Sequence, residues 1–446
     1  MKFNEYFSTH NVTLVFNSKL KNSDVVGVDG MNAKKFEKNL ENQVEIIVRK
    51  CLNGTYKFTR FKEKLVPKDA QSQPRQISIP TIRDALVLRI LFDLLERKFP
   101  NQKLIRPHFY IANIRSILDT HKAGDKFLRL DVKDFYPSIN RKILKKELKL
   151  GGVPDIAIDL IMKAIKKVNR GVPQGLSISN ILASIYFSKT DEYLKRKSKG
   201  RYFRYVDDIL FICNATEHKK LRKKTENLLK SKLKLSVHKP GTSISSKSTT
   251  QSTCDGIDYL GFHITDKHLE VRKGSYKKVF EAVINLITSY AENYENYPTG
   301  WPRNCFRERF LWRLNLRITG CILHQKSIGW MFFFRQTENI KQIKQLDAFV
   351  AKALEKRGLS DLQGKVKKFT RTYYEIRYNR SQTSYVPNFD ELDKEGKIAE
   401  MIKISGKKKE EFDSLEGYQV DERFRYIIRR EVRWMKRATL YFSYGY

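Results

Sequence analysis

The sequence predicts an α+β fold, and two patterns carry that prediction. Over the first 265 or so residues, short strand-forming runs alternate with helical spacing, and from about residue 275 the spacing is helical. The clearest strands surround two adjacent aspartates: Tyr202-Phe203-Arg204-Tyr205 precedes Val206-Asp207-Asp208, and Ile209-Leu210-Phe211-Ile212 follows. Apolar and aromatic residues on both sides make this a buried hairpin. Two carboxylates at its turn repel each other and resist desolvation. Hard divalent cations, which take oxygen ligands, offset that cost. An isolated Asp-Asp pair is far more often a surface turn, but a third carboxylate and a glycine turn, below, favour the metal reading here.

With 446 residues, the chain has roughly three domains' worth of length, and 41% hydrophobic residues mark it as globular. Lys and Arg number 87 against 49 Asp and Glu, a net charge of +38 spread along the chain. Such an excess points to a polyanionic partner, nucleic acid first and a membrane surface second. Nothing approaches the ~18 apolar residues of a spanning helix, and the N-terminus has no signal-peptide core, which speaks against a membrane protein. Five cysteines without a CxxC pair read as reduced thiols in a cytoplasmic protein with no zinc site.

In chain order, Gly27-Val28-Asp29-Gly30 forms a turn before a helix striped by Phe36, Leu40, Val44, Ile47 and Val48. Short strands follow at 56–58, 64–67 and 75–80, decorated by Lys62, Lys64, Lys68 and Arg75, charges that read equally as a solvated strand edge. Pro80 opens an apolar helix that Pro100 stops. A strand through Phe127–Leu130 delivers Asp131 at its end, and a Lys- and Leu-rich helix covers 140–149. The loop Gly171-Val172-Pro173-Gln174-Gly175 carries little side chain, so another backbone or a base pair can approach it, and serines cap the helix beyond. Leu221, Leu228, Leu229 and Leu233 stripe a helix, and a Ser/Thr-rich connector, 242–253, leads to strands about Tyr259-Leu260-Gly261-Phe262. Helices are expected at 276–290, 307–323 and 337–356, then an arginine-rich amphipathic helix at 424–437.

Taken in order, Leu130-Asp131-Val132-Lys133-Asp134-Phe135-Tyr136, Val172-Pro173-Gln174-Gly175 with Ser179, Tyr205-Val206-Asp207-Asp208 and Tyr259-Leu260-Gly261-Phe262 resemble the sequence blocks of reverse transcriptases. Gly27–Gly30 and Arg75–Pro80 with Arg83-Asp84 are similar to the extra N-terminal blocks of bacterial and group II intron-like members. The resemblance covers about residues 25–360 and leans towards abortive-infection and defence-associated enzymes, to which Arg313–Gly320 contributes. Two positions depart from the family pattern. Asn180 stands where many relatives have proline, and the lysine expected before a threonine is displaced in His238-Lys239-Pro240-Gly241-Thr242.

The resemblance implies a right-hand polymerase: fingers from 1–125 and 141–168, a palm with a ferredoxin-like sheet from 126–140 and 169–265, a helical thumb over 266–360, and a basic C-terminal extension over 361–446. It implies an RNA-directed DNA polymerase acting in anti-phage defence, with RNA template, dNTPs and DNA product as partners, and a structured non-coding RNA as the template source. Two Mg²⁺ ions, replaceable by Mn²⁺, would be held by Asp131, Asp207 and Asp208. Asp134 is expected to face away. Tyr136 would stack under the incoming sugar and exclude a 2′-hydroxyl. Lys68 and Arg75 would meet the triphosphate, Gln174 and Gly175 would floor the nucleotide pocket, and Tyr259, Leu260 and Gly261 would grip the primer. In the extension, Arg425, Arg429, Arg433 and Trp434 suit RNA bases and phosphates, or else form a solvated face covering the thumb. Two alternatives stay open: a template-independent or protein-primed polymerase of the same fold, and an RNA-binding scaffold on an inactive one.

Overall fold

The computed structural model describes residues 2–23, 25–67, 74–103, 105–120, 124–243, 246–294, 303–380 and 382–439; Lys68 lies outside them. The chain divides into two compact units, one formed by described residues up to 110 with 120–253, the other by 111–119 with 254–439.

The first unit is built on an antiparallel sheet of order β4-β5-β3-β6, from β3 (Lys126–Asp131), β4 (Tyr202–Tyr205), β5 (Asp208–Cys213) and β6 (Thr249–Ser252). The two central strands are almost continuously apolar because both their faces are covered: Phe127, Leu128, Leu130, Ile209, Leu210 and Phe211 are all buried. The stretch expected to be a connector contributes β6, whose Thr249–Ser252 pair with Lys126–Arg129. Its hydroxyls hid it from a search for apolar alternation, since only Thr249 is fully buried. Helices Ser179–Lys197 and His218–Leu233 belong to this unit. No side chain caps the first of them; Ser179 instead donates its hydroxyl to the Pro173 carbonyl, closing the Pro-Gln-Gly loop onto the helix start.

The N-terminal blocks pack together through small residues. Strands β1 (Lys62–Val66) and β2 (Arg75–Ile79) form a hairpin, while residues 56–58 stay irregular. A Cβ on Gly27 would lie 2.7 Å from the Thr81 Cα, so the Gly27 turn abuts the start of the helix Ile82–Lys98. Asp84 is 1% exposed and organises this region: it accepts the Tyr56 hydroxyl (2.7 Å) and the Thr59 N–H (3.0 Å). Arg83 binds the Gln43 side chain. Both residues of the Arg83-Asp84 block therefore have structural partners.

The second unit opens with a three-stranded antiparallel sheet, β7 (Ile257–Tyr259), β8 (Phe262–Ile264) and β9 (Leu269–Val271). Leu260 and Gly261 join β7 to β8 with φ of +47° and +89°, the paired positive values that match the twist of a two-residue hairpin. Helices Lys273–Asn293, Arg303–Thr319 and Ile340–Glu355 follow. The second of these stops at Gly320, short of the expected end, and β10 (Cys321–Leu323) pairs with β11 (Lys326–Ile328). Residues beyond 361 are part of this unit's core. Helix Gly417–Thr439 buries Val420, Phe424, Ile428 and Met435 against Leu316, Cys321, Met401 and Phe412. All five cysteines are free, and among the described residues no helix is long and apolar enough to cross a membrane.

Candidate active site

Register brings the carboxylates together. Strand β3 runs antiparallel to β5 so that Asp131 faces Asp208 directly, and β4 pairs with β5 so that Tyr205 also faces Asp208. Val206 and Asp207 are left as a two-residue loop, with Val206 at φ +59°. A β-branched residue there is strained by about 1–3 kcal/mol, and the surroundings hold it in place. Val132 N–H donates to the Asp207 carbonyl (3.0 Å). Arg204 Nη1 donates to the Val206 carbonyl (2.9 Å), while Arg204 Nε donates to Asp191 Oδ1 (2.8 Å) on the helix Ser179–Lys197. Burial disfavours the Arg204 charge, but Asp191 more than compensates and holds its pKa above the usual arginine value.

Asp131 is strongly perturbed. Burial, and then the charges of Asp207 and Asp208, push its carboxyl up to about 7, with Arg129 and Lys247 pulling the other way. Its own N–H donates to Ser248 Oγ (3.1 Å), and its carbonyl accepts the His238 N–H (2.9 Å). His238 Nε2 stands 3.4 Å from Asp131 Oδ2 and 3.3 Å from Lys247 Nζ. The displaced motif lysine thus gives way to a histidine–lysine pair beside the carboxylate. Asp134, in a left-handed conformation (φ +42°), is exposed.

Arg129 is a site residue that the motifs do not mark. Two positions before Asp131, it projects from the same face of β3. Its Nε and Nη2 bind both oxygens of Asp208, at 2.8 and 2.7 Å, a bidentate pair with each side chain 15% exposed. Period-two alternation from Asp131 could have found it. The donor set suits a hard divalent cation, since Asp131, Asp207 and Asp208 offer only carboxylate oxygen and carry charge that raises Asp131. With Asp208 turned to Arg129, no group of three or more acidic, His or Cys side chains among the described residues converges as a finished cage. A metal drawing on Asp208 would displace the guanidinium.

The nucleotide-pocket candidates from the Pro-Gln-Gly loop meet β2. Ser78 N–H donates to the Gln174 carbonyl (2.7 Å), and a Cβ on Gly175 would lie 2.6 Å from Ile77 Cγ2 and 3.0 Å from the Ser78 carbonyl oxygen. Arg75 begins the same strand, paired with Val66, and is half-buried. Tyr136 is also half-buried, and its hydroxyl donates to Asn180 Oδ1. Tyr259, Leu260 and Gly261 lie in the second unit, as the end of β7 and its turn.

The C-terminal candidates divide by burial. Arg425 and Arg433 are exposed, and Arg429 Nη2 lies 3.2 Å from His324 Nε2. Trp434 instead packs on the core, with the guanidinium carbons of Arg313 and Arg317 at 5.0 and 4.9 Å from its ring centre. Glu431, 1% exposed, accepts from Arg313 Nε (2.7 Å) and Arg309 Nη2 (3.1 Å).

A family model described as reverse transcriptase (RNA-dependent DNA polymerase) matches residues 66–264, which hold Asp131, Asp207 and Asp208. Protein YkfC of Escherichia coli (strain K12) is 22% identical over 360 residues, covering 68% of this chain and 88% of YkfC. The retron Mx162 reverse transcriptase of Myxococcus xanthus is 23% identical over 267 residues, covering 54% of this chain and 48% of the retron protein. A structure of telomerase from Candida albicans with a fragment of telomeric RNA is 14% identical, covering 90% of this chain and 70% of that one, at a TM-score of 0.39, too low to support the assignment. The assignment rests on the family match, the four ordered blocks and a four-stranded sheet that sets Asp131 opposite Asp208. Residues 66–264 thus match the reverse transcriptase family, and the mixed helix-and-sheet architecture is consistent with a right-hand polymerase fold.

Proposed function

We propose that this protein extends a primer 3′-hydroxyl with dNTPs on an RNA template, using Mg²⁺ held by Asp131, Asp207 and Asp208. One observation carries the reading: antiparallel register sets two carboxylates opposite each other and a third at the adjoining turn, and together with burial they raise Asp131 to about 7. A buried carboxyl raised this far, with two more beside it, suits a cation more than a scaffold. Paired divalent ions, when bound, activate the attacking hydroxyl and stabilise the leaving oxygens. The chain's own groups do the rest. Arg75 on β2 meets the triphosphate, Gln174 and Gly175 shape the pocket floor, and Tyr136 closes the space a 2′-hydroxyl would need. Residues 1–125 and 141–168 act as fingers, 126–140 and 169–265 as palm, 266–360 as thumb, with Tyr259–Gly261 as primer grip.

Replacing Asp207 and Asp208 with Ala tests this. Mg²⁺-dependent dNTP incorporation on an RNA template should fall about a hundredfold or more, the scale of a lost electrostatic group, with the melting curve retained. Near-wild-type incorporation by the double variant would overturn the metal-site reading. Equal incorporation with and without template would favour the template-independent alternative. A role in anti-phage defence follows from the resemblance to defence-associated enzymes. Phage should plate equally on cells carrying the double variant and on cells lacking the protein.

A further inference from the structure

We propose that Asn180 is a specificity-determining positioning residue, whose side-chain oxygen ties down the Tyr136 hydroxyl and so fixes the ring that screens the incoming sugar. The inference rests on the reading of Tyr136 as the sugar gate and extends it to a residue outside the motif. Asn180 is also where the sequence departs from the proline of many relatives, and a proline side chain has no oxygen to offer.

The tether completes a set of restraints on one segment. The Tyr136 backbone is held because its carbonyl accepts the Val172 N–H (2.9 Å). Gly171, at φ +65°, allows that approach: a Cβ there would stand 2.1 Å from the Tyr136 oxygen. Arg141 Nε fastens the loop from behind through the Gly171 carbonyl (2.9 Å). The neighbouring Phe135 ring packs edge-on against Phe187, centroids 5.5 Å apart. Asn180 and Phe187 are seven residues apart, hence on one face of the helix Ser179–Lys197. The gate segment therefore docks on that face at two levels, by an apolar contact at Phe135 and a polar one at Tyr136. Backbone restraint alone leaves the Tyr136 side chain free to change rotamer. The hydroxyl bond to Asn180 removes that freedom, and both residues are half-buried, so the bond competes with water less than a surface one does.

A fixed ring rejects a 2′-hydroxyl by collision, whereas a ring that can swing aside admits it. Loss of the tether should therefore raise ribonucleotide use relative to deoxynucleotide use. In Asn180→Ala and in Tyr136→Phe, which keeps the ring and loses only the hydroxyl, the ratio of kcat/KM for dNTP to that for the matching rNTP should fall about three- to tenfold, the scale of one hydrogen bond. The double variant should fall no further than either single one, because both remove the same bond. Asn180→Asp keeps an acceptor and should restore the ratio, since any effect of its charge on the triphosphate is common to both nucleotides. Tyr136→Val, which removes the ring, marks the full extent of gating.

The outcomes separate the tether from the gate. Ratios at the wild-type value in Asn180→Ala and Tyr136→Phe, with Tyr136→Val admitting ribonucleotides, would overturn the tether and leave the gate standing. A Tyr136→Val ratio unchanged from wild type would overturn both. Should Asn180→Ala fail to fold, Tyr136→Phe and Asn180→Asp decide the matter alone.

Discussion

Glu431 decides what the C-terminal helix is for. Its carboxylate is 1% exposed and is shared by Arg313 (2.7 Å) and Arg309 (3.1 Å), whose side chains are 25% and 20% exposed. Glu431→Gln keeps the shape and removes the charge, leaving two largely buried guanidiniums to face each other. Removing one partner of a buried pair costs about 3–5 kcal/mol, and the remaining exposure of the arginines puts this case near the lower end, ~3 kcal/mol. For a unit of this size each kcal/mol moves Tm by about 2–4 °C, so the variant should melt ~6–12 °C lower. The pH dependence has a definite sign. Burial alone would raise the Glu431 pKa, but hydrogen bonds and charge from Arg313 and Arg309 outweigh it and hold it below the usual glutamate value. Stability from a lowered carboxyl pKa is complete above the unfolded-state value and is lost as pH falls through the folded one. The gap in Tm between wild type and Glu431→Gln should therefore be full near neutrality and shrink below about pH 4.5. Scanning calorimetry across pH measures both. A variant melting within 2 °C or so of wild type at neutral pH would refute the structural role of the cluster.

Two further perturbations test other parts of the fold. Gly171→Ala forces a side chain into left-handed backbone and against the Tyr136 oxygen 2.1 Å away, so it should destabilise by about 1–3 kcal/mol for the clash and about 1–2 for the backbone, read by denaturant melts. In the second unit, His263 Nδ1 lies 3.0 Å from Asp258 Oδ1 across β7 and β8, and that hydrogen bond raises the His263 pKa above 6.5. A raised histidine pKa gives stability that is full below the unfolded value and lost as pH rises through the folded one. The Tm advantage of wild type over Asp258→Asn should accordingly shrink on going above about pH 6.5, and a constant gap would show the pair to be uncharged.

Much of the four-stranded sheet was legible because chemistry and periodicity coincide there. The apolar runs on either side of Asp207-Asp208 can only be buried strands, and a strand ending in Asp131 has to pair with them. What escaped was polar. Strand β6 is written in Thr and Ser, whose hydroxyls look like a loop. Arg129 looks like an ordinary strand charge until register places it on the Asp131 face. At the C-terminus the charged face drew attention away from an apolar one, Val420, Phe424, Ile428, Val432 and Met435, which is equally plain at helical spacing. Residues 361–446 contain 19 Lys and Arg against 14 Asp and Glu, so the segment holds little of the +38. Most of the excess charge lies before it. Truncating from 415 would expose the core that this helix covers, so single substitutions at the exposed Arg425 and Arg433 are the cleaner probes of RNA contact.

One helix, Ser179–Lys197, explains why these scattered motifs can act as a unit. Near its start, Asn180 receives the Tyr136 hydroxyl; at its middle, Phe187 receives Phe135 and lies 4.4 Å under the Arg204 guanidinium; further on, Asp191 pairs with Arg204, which supports the Val206 carbonyl at the strained turn. The gate segment and the aspartate turn are thus both referenced to one rigid element, not to each other across flexible loops. Sites held this way keep their geometry to fractions of an ångström, which metal chemistry and sugar discrimination both demand. The Pro-Gln-Gly motif, which closes onto the helix start through Ser179 and the Pro173 carbonyl, fixes where that element begins. On the proposed reading its role would reach beyond the pocket floor: by fixing the start of the helix, it positions both the Tyr136 segment and the aspartate hairpin.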